Sequence, residues 1–331
     1  MKIFFYDAHD FERKAFDAAN SKQGLTIEWC SHRLTPQSAV LARGFEVACL
    51  FVEDRADAEA LKILKEGGVR LIALRSAGFN HVDLKAAREL GLRVVRVPEY
   101  SPYAVAEHAA SLLMALNRKI PRAVARVKDL NFSLEGLVGR DLHGQTVGVV
   151  GTGRIGRAFA RIMLGFGCKV IAYDQQVSTE LEAMGVTYCS LRDLIAASDV
   201  LSLHIPLTPE TWHLIDAKAF AAMKPGALLV NTGRGALVDS VALIETLKSG
   251  RIGGAALDVY EEEEGIFFHD LSGKGLQDDV LARILSFPNV IVTSHQAFLT
   301  LEALSAIAEV TLSNVAAFAR GERSGNEVEV S

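Results

Sequence analysis

The sequence predicts an α/β protein with two doubly wound parallel sheets, and three observations carry that prediction. Short apolar runs alternate with amphipathic stretches along the whole 331 residues, as in parallel strands joined by helical crossovers. Val147-Gly148-Val149-Val150 leads into Gly151-Thr152-Gly153-Arg154-Ile155-Gly156, which reads as strand, turn and helix with glycines spaced G-x-G-x-x-G. This unit begins near the middle of the chain, so a domain-sized segment precedes it, and the length suffices for two cores.

The glycine motif is a nucleotide site in physical terms. Gly151 allows the tight turn, Gly153 lets backbone approach a pyrophosphate, and Gly156 lets helix and strand pack closely. The phosphates then sit at a helix N-terminus, where unpaired N–H groups and the macrodipole favour negative charge. A second strand, 169–173, ends in Asp174. An acid about twenty residues beyond the glycines accepts bonds from a ribose 2′-OH and repels a 2′-phosphate, which favours NAD over NADP. Both halves of the chain are therefore expected to be Rossmann-like.

In chain order, strands are expected at 3–6, 25–29, 47–51, 71–74 and 93–97, with helices at 10–20, 56–65 and 83–90. The loop Ser76-Ala77-Gly78-Phe79-Asn80 follows a strand, at the carboxyl edge where open α/β sheets bind ligands. Pro98 and Pro102 bracket a crossover between domains. Helices then cover 103–118 and a stretch after Pro121. Beyond the glycine motif come a helix at 157–166 and, after Asp174, helices at 191–197, 217–223 and 240–248. Strands are expected at 200–203, 227–231, 254–257 and 290–293. A last helix, 300–320, carries an apolar stripe and is expected to return to the first domain; the final ten residues read as a tail. Two domains are expected, 1–100 plus 299–331 and 101–298, the second carrying the nucleotide site.

Composition excludes other classes. Half the residues are hydrophobic, 23% are charged and the net charge is -5, which leaves no general polyanion-binding field; no nucleic-acid partner is expected. Cys30, Cys49, Cys168 and Cys189 show no C-x-x-C spacing, so they read as thiols of a reducing compartment, not as a disulfide or zinc framework. The N-terminus is too short in apolar length for a signal peptide, and no run approaches the roughly 18 apolar residues of a spanning helix. A cytoplasmic protein with no membrane partner is expected.

Three polar groups follow strands of the nucleotide domain: Arg234 between Gly233 and Gly235, Glu263 within the run Glu261–Glu264, and His295 between Ser294 and Gln296. Strand carboxyl ends converge on the cofactor crevice, so the three can meet there. His204 also ends a strand, and the residues alone do not rank it below His295.

A family resemblance ranks them. Ser76–Asn80, Val97-Pro98-Glu99-Tyr100-Ser101-Pro102, Gly151–Gly156, Asn231-Thr232-Gly233-Arg234-Gly235, Asp258-Val259-Tyr260-Glu261 and Ser294-His295-Gln296-Ala297-Phe298 occur in the order found in D-isomer-specific 2-hydroxyacid dehydrogenases. The chain resembles these over nearly its whole length, most closely the bacterial fermentative D-lactate dehydrogenases. The resemblance implies that the first domain, 1–100 plus 299–331, is the substrate domain. It also implies an Arg234, Glu263, His295 triad in a cleft between domains, no metal, and NAD contacts at Arg154, Ile155, Asp174, Pro206, Thr232, Gly233 and Asp258 besides the motif glycines. Thr211 stands where several relatives have Asn near the cofactor. Ser76, Ala77, Gly78 and Tyr100 match groups that hold the substrate carboxylate, and Phe298 and Phe51 are further implied substrate contacts. Phe51 closes a predicted strand, and in relatives a bulky side chain there limits the room beside C3.

The implied reaction is hydride transfer from NADH to the carbonyl carbon of pyruvate, giving D-lactate. His295 donates the proton to the carbonyl oxygen, Glu263 favours its imidazolium form, and Arg234 binds the carboxylate with its two-pronged donor geometry. A homodimer or homotetramer is implied. Two readings stand behind this one: a relative acting on a bulkier 2-keto acid, and an NAD-sensing corepressor-like binding protein, which the lack of long flanking tails disfavours.

Overall fold

The first sheet is assembled from short apolar runs, fully buried in the strands at 47–50 and 71–74 and only partly covered in the edge strand at 26–29. In the computed structural model, which describes residues 1–328, these are β1 (Lys2–Phe5), β2 (Thr26–Trp29), β3 (Val47–Leu50), β4 (Leu71–Leu74) and β5 (Arg93–Val95). They pair in parallel in the order β2-β1-β3-β4-β5. The crossovers carry α1 (Asp10–Asn20), α2 (Ala58–Glu66) and α3 (Leu84–Glu89). Asp57 and Asp83 cap the last two, accepting from Ala60 N and Ala86 N. The expected start of α2 at residue 56 is corrected: Ala56 bridges Val82, and the Asp57 cap sets the first turn after it.

The second unit, Pro102–Phe298, opens with α4 (Pro102–Asn117) and α5 (Ile120–Lys128). Pro121 lies inside the first turn of α5 and not before it, where its missing N–H costs nothing. Then follow β6 (Thr146–Val150), α6 (Arg154–Gly165), β7 (Lys169–Tyr173), α7 (Thr179–Ala183), β8 (Thr187–Tyr188), α8 (Leu191–Ala197), β9 (Val200–Leu203), α9 (Ala217–Ala222), β10 (Leu228–Asn231), α10 (Ser240–Lys248), β11 (Gly254–Leu257), α11 (Asp279–Leu285) and β12 (Val290–Val292). The sheet order is β12-β11-β10-β9-β6-β7-β8, all parallel. Alternate residues of one strand enter different cores: Val150, Leu229 and Ala255 pack on one face, Val149, Val230 and Ala256 on the other, the period of two that a doubly covered sheet requires. Chain order reverses between β6 and β9, which marks the crevice where ligands of such sheets bind.

The first unit is completed by Leu299–Ser331. Its helix α12 (Leu301–Ala319) is long and on average apolar enough to cross a membrane, but Glu302, Ser305, Glu309 and Asn314 interrupt its apolar residues. It buries Ala303, Ile307, Ala308, Leu312 and Val315 and packs against α1 and β4, so it is a core helix. The expected tail is also corrected. Glu327 bridges Val95 in antiparallel sense, Val328 N donates to Val94 O and Arg96 N to Asn326 O, and Arg93 pairs with Glu327 at 2.7 Å. The segment thus covers the edge of β5, which would otherwise expose unpaired backbone groups; residues 329–331 lie outside the described residues.

Candidate active site

The glycine turn is built from backbone proximity. Gly151 has φ of 92°, a region open to glycine at little cost. A Cβ on Gly156 would lie 1.9 Å from Gly151 O, so residue 156 is glycine because the turn passes directly against it. Helix α6 starts at Arg154, three residues earlier than expected, with Gly153 as N-cap and Ile155 in the first turn; the side of Gly153 where a Cβ would stand is open. Asp174 follows β7. Its Oδ2 accepts Thr152 N at 2.5 Å and the Thr152 hydroxyl at 3.1 Å, and its Oδ1 accepts Gln176 N at 3.0 Å. Burial pushes this carboxyl up, and the bonds from Gln176 and Thr152 outweigh it and hold it below the ordinary range. Tyr188 donates to Thr152 Oγ1 at 2.9 Å, a brace invisible in the sequence because β8 was not recognisable there.

Across the switch point, His204 follows β9. Burial pulls its pKa down to about 3, its Nε2 lies 2.9 Å from Ser202 Oγ, and its ring packs on Phe159. It is a neutral packing group, which separates it from His295. Beyond it, Pro206 is exposed, and Thr211 closes the loop by donating to Pro206 O at 2.8 Å and accepting Thr208 N at 2.7 Å.

Strand β10 delivers Thr232, Gly233 and Arg234. The Thr232 hydroxyl is buried and has no hydrogen-bond partner among the described residues. Asn231 clamps the turn, accepting Gly233 N at 3.0 Å and donating to Arg234 O at 2.9 Å. Arg234 donates to Gly233 O at 2.8 Å and makes no ion pair among the described residues. Gly235 does more than give the guanidinium room: a Cβ there would lie 2.0 Å from the Tyr260 carbonyl carbon, so the Arg234 turn is pressed onto the segment that carries the glutamates.

In that segment Glu263 Oε2 accepts Tyr260 N at 3.1 Å, and its Oε1 lies 2.8 Å from His295 Nδ1. Glu261 instead meets His213 Nε2 at 2.5 Å. His295 has φ of 49°, a left-handed backbone that costs a non-glycine residue about 1–3 kcal/mol and persists only where surroundings impose it.

Asp258 imposes it. Its carbonyl accepts His295 N at 2.7 Å; its carboxylate accepts Gln296 N, Ala297 N and the Thr293 hydroxyl at 2.9, 2.9 and 2.6 Å. Asp258 is 0% exposed, and its enclosed carboxylate shapes the His295 loop. Burial alone raises its pKa, but bonds from His108, Thr293 and Ala297 N hold it below the ordinary carboxylate range.

In the first unit the 76–80 loop leaves β4 as expected. Ser76 Oγ donates to Gly78 O at 2.7 Å and Arg96 to Ala77 O at 2.9 Å. With those carbonyls engaged, Ala77 N and Gly78 N make no hydrogen bond among the described residues, leaving adjacent donors of the kind that bind anions. Tyr100 lies between β5 and α4, and Phe298 is half-buried. Phe51 lies just past β3 and is 3% exposed, its ring near those of His9 and Phe11 and 5.3 Å from the Arg75 guanidinium carbon. Sequence reading missed Arg75, whose fully buried side chain pairs with Glu12 at 2.9 Å and donates to Tyr6 O and Asp7 O.

The open side of Gly153, the unpartnered Thr232 hydroxyl and Asp174 at the end of β7 fit a dinucleotide across the switch point. Residues 110–297 match the family described as D-isomer specific 2-hydroxyacid dehydrogenase, NAD binding domain. The chain is 49% identical over 328 residues to D-lactate dehydrogenase of Escherichia coli K12, covering 99% of this chain and all of that protein. Its fold matches the apo-structure of the Escherichia coli enzyme with TM-score 0.91 at 47% identity, covering 99% and 100%. It matches Lactobacillus jensenii D-lactate dehydrogenase with NAD+ with TM-score 0.84 at 33% identity over the full length of both. The chain therefore belongs to the D-isomer-specific 2-hydroxyacid dehydrogenases, and it is an NAD-binding oxidoreductase of that family.

Proposed function

We propose that the chain is a D-lactate dehydrogenase that reduces pyruvate to D-lactate. The observation that carries this reading is the His295–Glu263 pair beside β11 and β12, with Arg234 free of any ion pair among the described residues at the end of β10. Bound NADH supplies the hydride. His295 donates the proton to the carbonyl oxygen, from Nε2, because Glu263 engages Nδ1; Glu263 favours the imidazolium that makes this possible. Arg234 holds the substrate carboxylate and polarises the carbonyl, helped by the N–H groups of Ala77 and Gly78 and by Ser76 and Tyr100. Phe51 and Phe298 limit the substrate's size. Arg154, Ile155, Asp174, Pro206, Thr211, Thr232, Gly233 and Asp258 hold the cofactor with the motif glycines.

The test is a panel of 2-keto acids with NADH and with NADPH, followed by chiral analysis. Pyruvate with NADH giving D-lactate is the expected result; a strong preference for a longer keto acid replaces the substrate, and no oxidation of NADH overturns the reading.

We also propose a cytoplasmic homodimer or homotetramer. Free thiols at all four cysteines suit a reducing compartment. Helix α5 buries no residue and leaves Ile120, Val124 and Val127 exposed along one stripe, followed by Phe132 at 70% and Leu134 at 79% exposure, an apolar run that a second copy would cover. Light scattering on the purified protein decides subunit number.

A further inference from the structure

His108 lies on α4, half-buried beside the exposed Glu107, and no role follows for it from the family motifs. Its Nε2 approaches Thr293 Oγ1 at 3.1 Å and Asp258 Oδ1 at 3.2 Å. The Thr293 hydroxyl has one proton, which goes to Asp258 Oδ1 at 2.6 Å, because a carboxylate only accepts. Both neighbours of Nε2 therefore present lone pairs, and the His108 proton sits on Nε2, shared between them. Asp258 in turn engages three consecutive backbone N–H groups, those of His295, Gln296 and Ala297. The contact network runs from α4 through one enclosed carboxylate to the left-handed turn at His295.

We propose that His108 is a positioning residue for the reaction: its Nε2–H orients the Asp258 carboxylate, which fixes the backbone that presents His295. This rests on His295 as the proton donor. His108 touches neither substrate nor cofactor in this role, and a small displacement of a donor is enough to cost about 10²-fold in rate.

The experiment compares His108→Leu, which keeps bulk and loses the donor, with His108→Gln, whose amide N–H reaches as far as Nε2. Turnover with pyruvate is expressed per NADH-binding site, titrated by fluorescence, so that misfolded protein does not lower it. His108→Leu is expected to lose at least tenfold in kcat, with His108→Gln at least threefold faster than it. A smaller loss, or a smaller recovery, overturns the proposal. Should His108→Leu fail to bind NADH, Thr293→Val is held to the same tenfold criterion. Inactive wild-type enzyme would sink the underlying reading and this inference with it. Active wild type, inactive His295→Gln and normal His108→Leu would sink the inference alone.

Discussion

Glu263 Oε1 lies 2.8 Å from His295 Nδ1 while its other oxygen is held by Tyr260 N. The carboxylate is thereby fixed, the imidazole is oriented, and Nε2 is the ring nitrogen left for chemistry. His295→Gln is expected to lower kcat for pyruvate by roughly 10²–10⁴, the usual contribution of one general acid, with NADH binding retained. Near-normal turnover would remove His295 from the acid role.

The same pair sets a pH dependence. Reduction needs protonated His295, and the neighbouring carboxylate favours that form. Without it, protonation is lost at lower pH, so Glu263→Gln should move the upper limb of the pH–rate profile for pyruvate reduction downward. Glu262, exposed in the same run, is the control: Glu262→Gln should leave the limb where it is. If only the control shifts the limb, the partner is misassigned.

Arg234→Lys retains charge and loses the planar fork. The expected outcome is a collapse of kcat/KM for pyruvate at an unchanged NADH dissociation constant. Equal loss of both would make Arg234 a cofactor or structural group.

Asp174 keeps its charge, since its carboxyl is held below the ordinary range, and a charged group there opposes a 2′-phosphate. Wild type should strongly prefer NADH, and Asp174→Ala should narrow that ratio, mainly through weaker NADH binding. Comparable use of both cofactors by the wild type would take Asp174 out of the ribose site.

Phe51 separates packing from specificity. Leucine in its place loses aromatic contacts with His9 and Phe11, so the thermal midpoint should fall. If Phe51 also limits the substrate, kcat/KM should shift from pyruvate toward 2-ketobutyrate within the 10–200-fold range of a methylene-scale change. A lower midpoint with an unchanged ratio assigns the residue to packing alone.

What was legible in the sequence was local. The G-x-G-x-x-G turn, the Arg234 turn and the ends of most strands depend on residues a few positions apart, and periodicity and turn chemistry report such neighbours directly. What was not legible depends on register between distant segments. The enclosure of Asp258 requires α4, β11 and the 293–297 segment to be placed together, and no spacing within any one of them announces it. His108 carried no signal in its own helix, where it follows another polar residue, Glu107, and its partners lie far along the chain. Residues 324–328 looked like a tail because their pairing partner, β5, was made more than two hundred residues earlier.

The first unit is also divided in time. Its sheet leaves the ribosome early, but α12, which packs on α1 and β4, and the segment that covers β5 are the last to be made. Synthesis of residues 102–298 comes between, an interval of about 10–40 s at roughly 5–20 residues per second. Throughout it the nascent chain shows a bare apolar helix seat and an open strand edge, whereas the second unit has everything it needs once β12 and the 293–298 segment that satisfies Asp258 emerge. The order of completion therefore reverses the order of sequence. A stalled or C-terminally clipped product would hold a finished nucleotide fold attached to a first sheet with one helix missing, and would be expected to bind NADH while engaging chaperones.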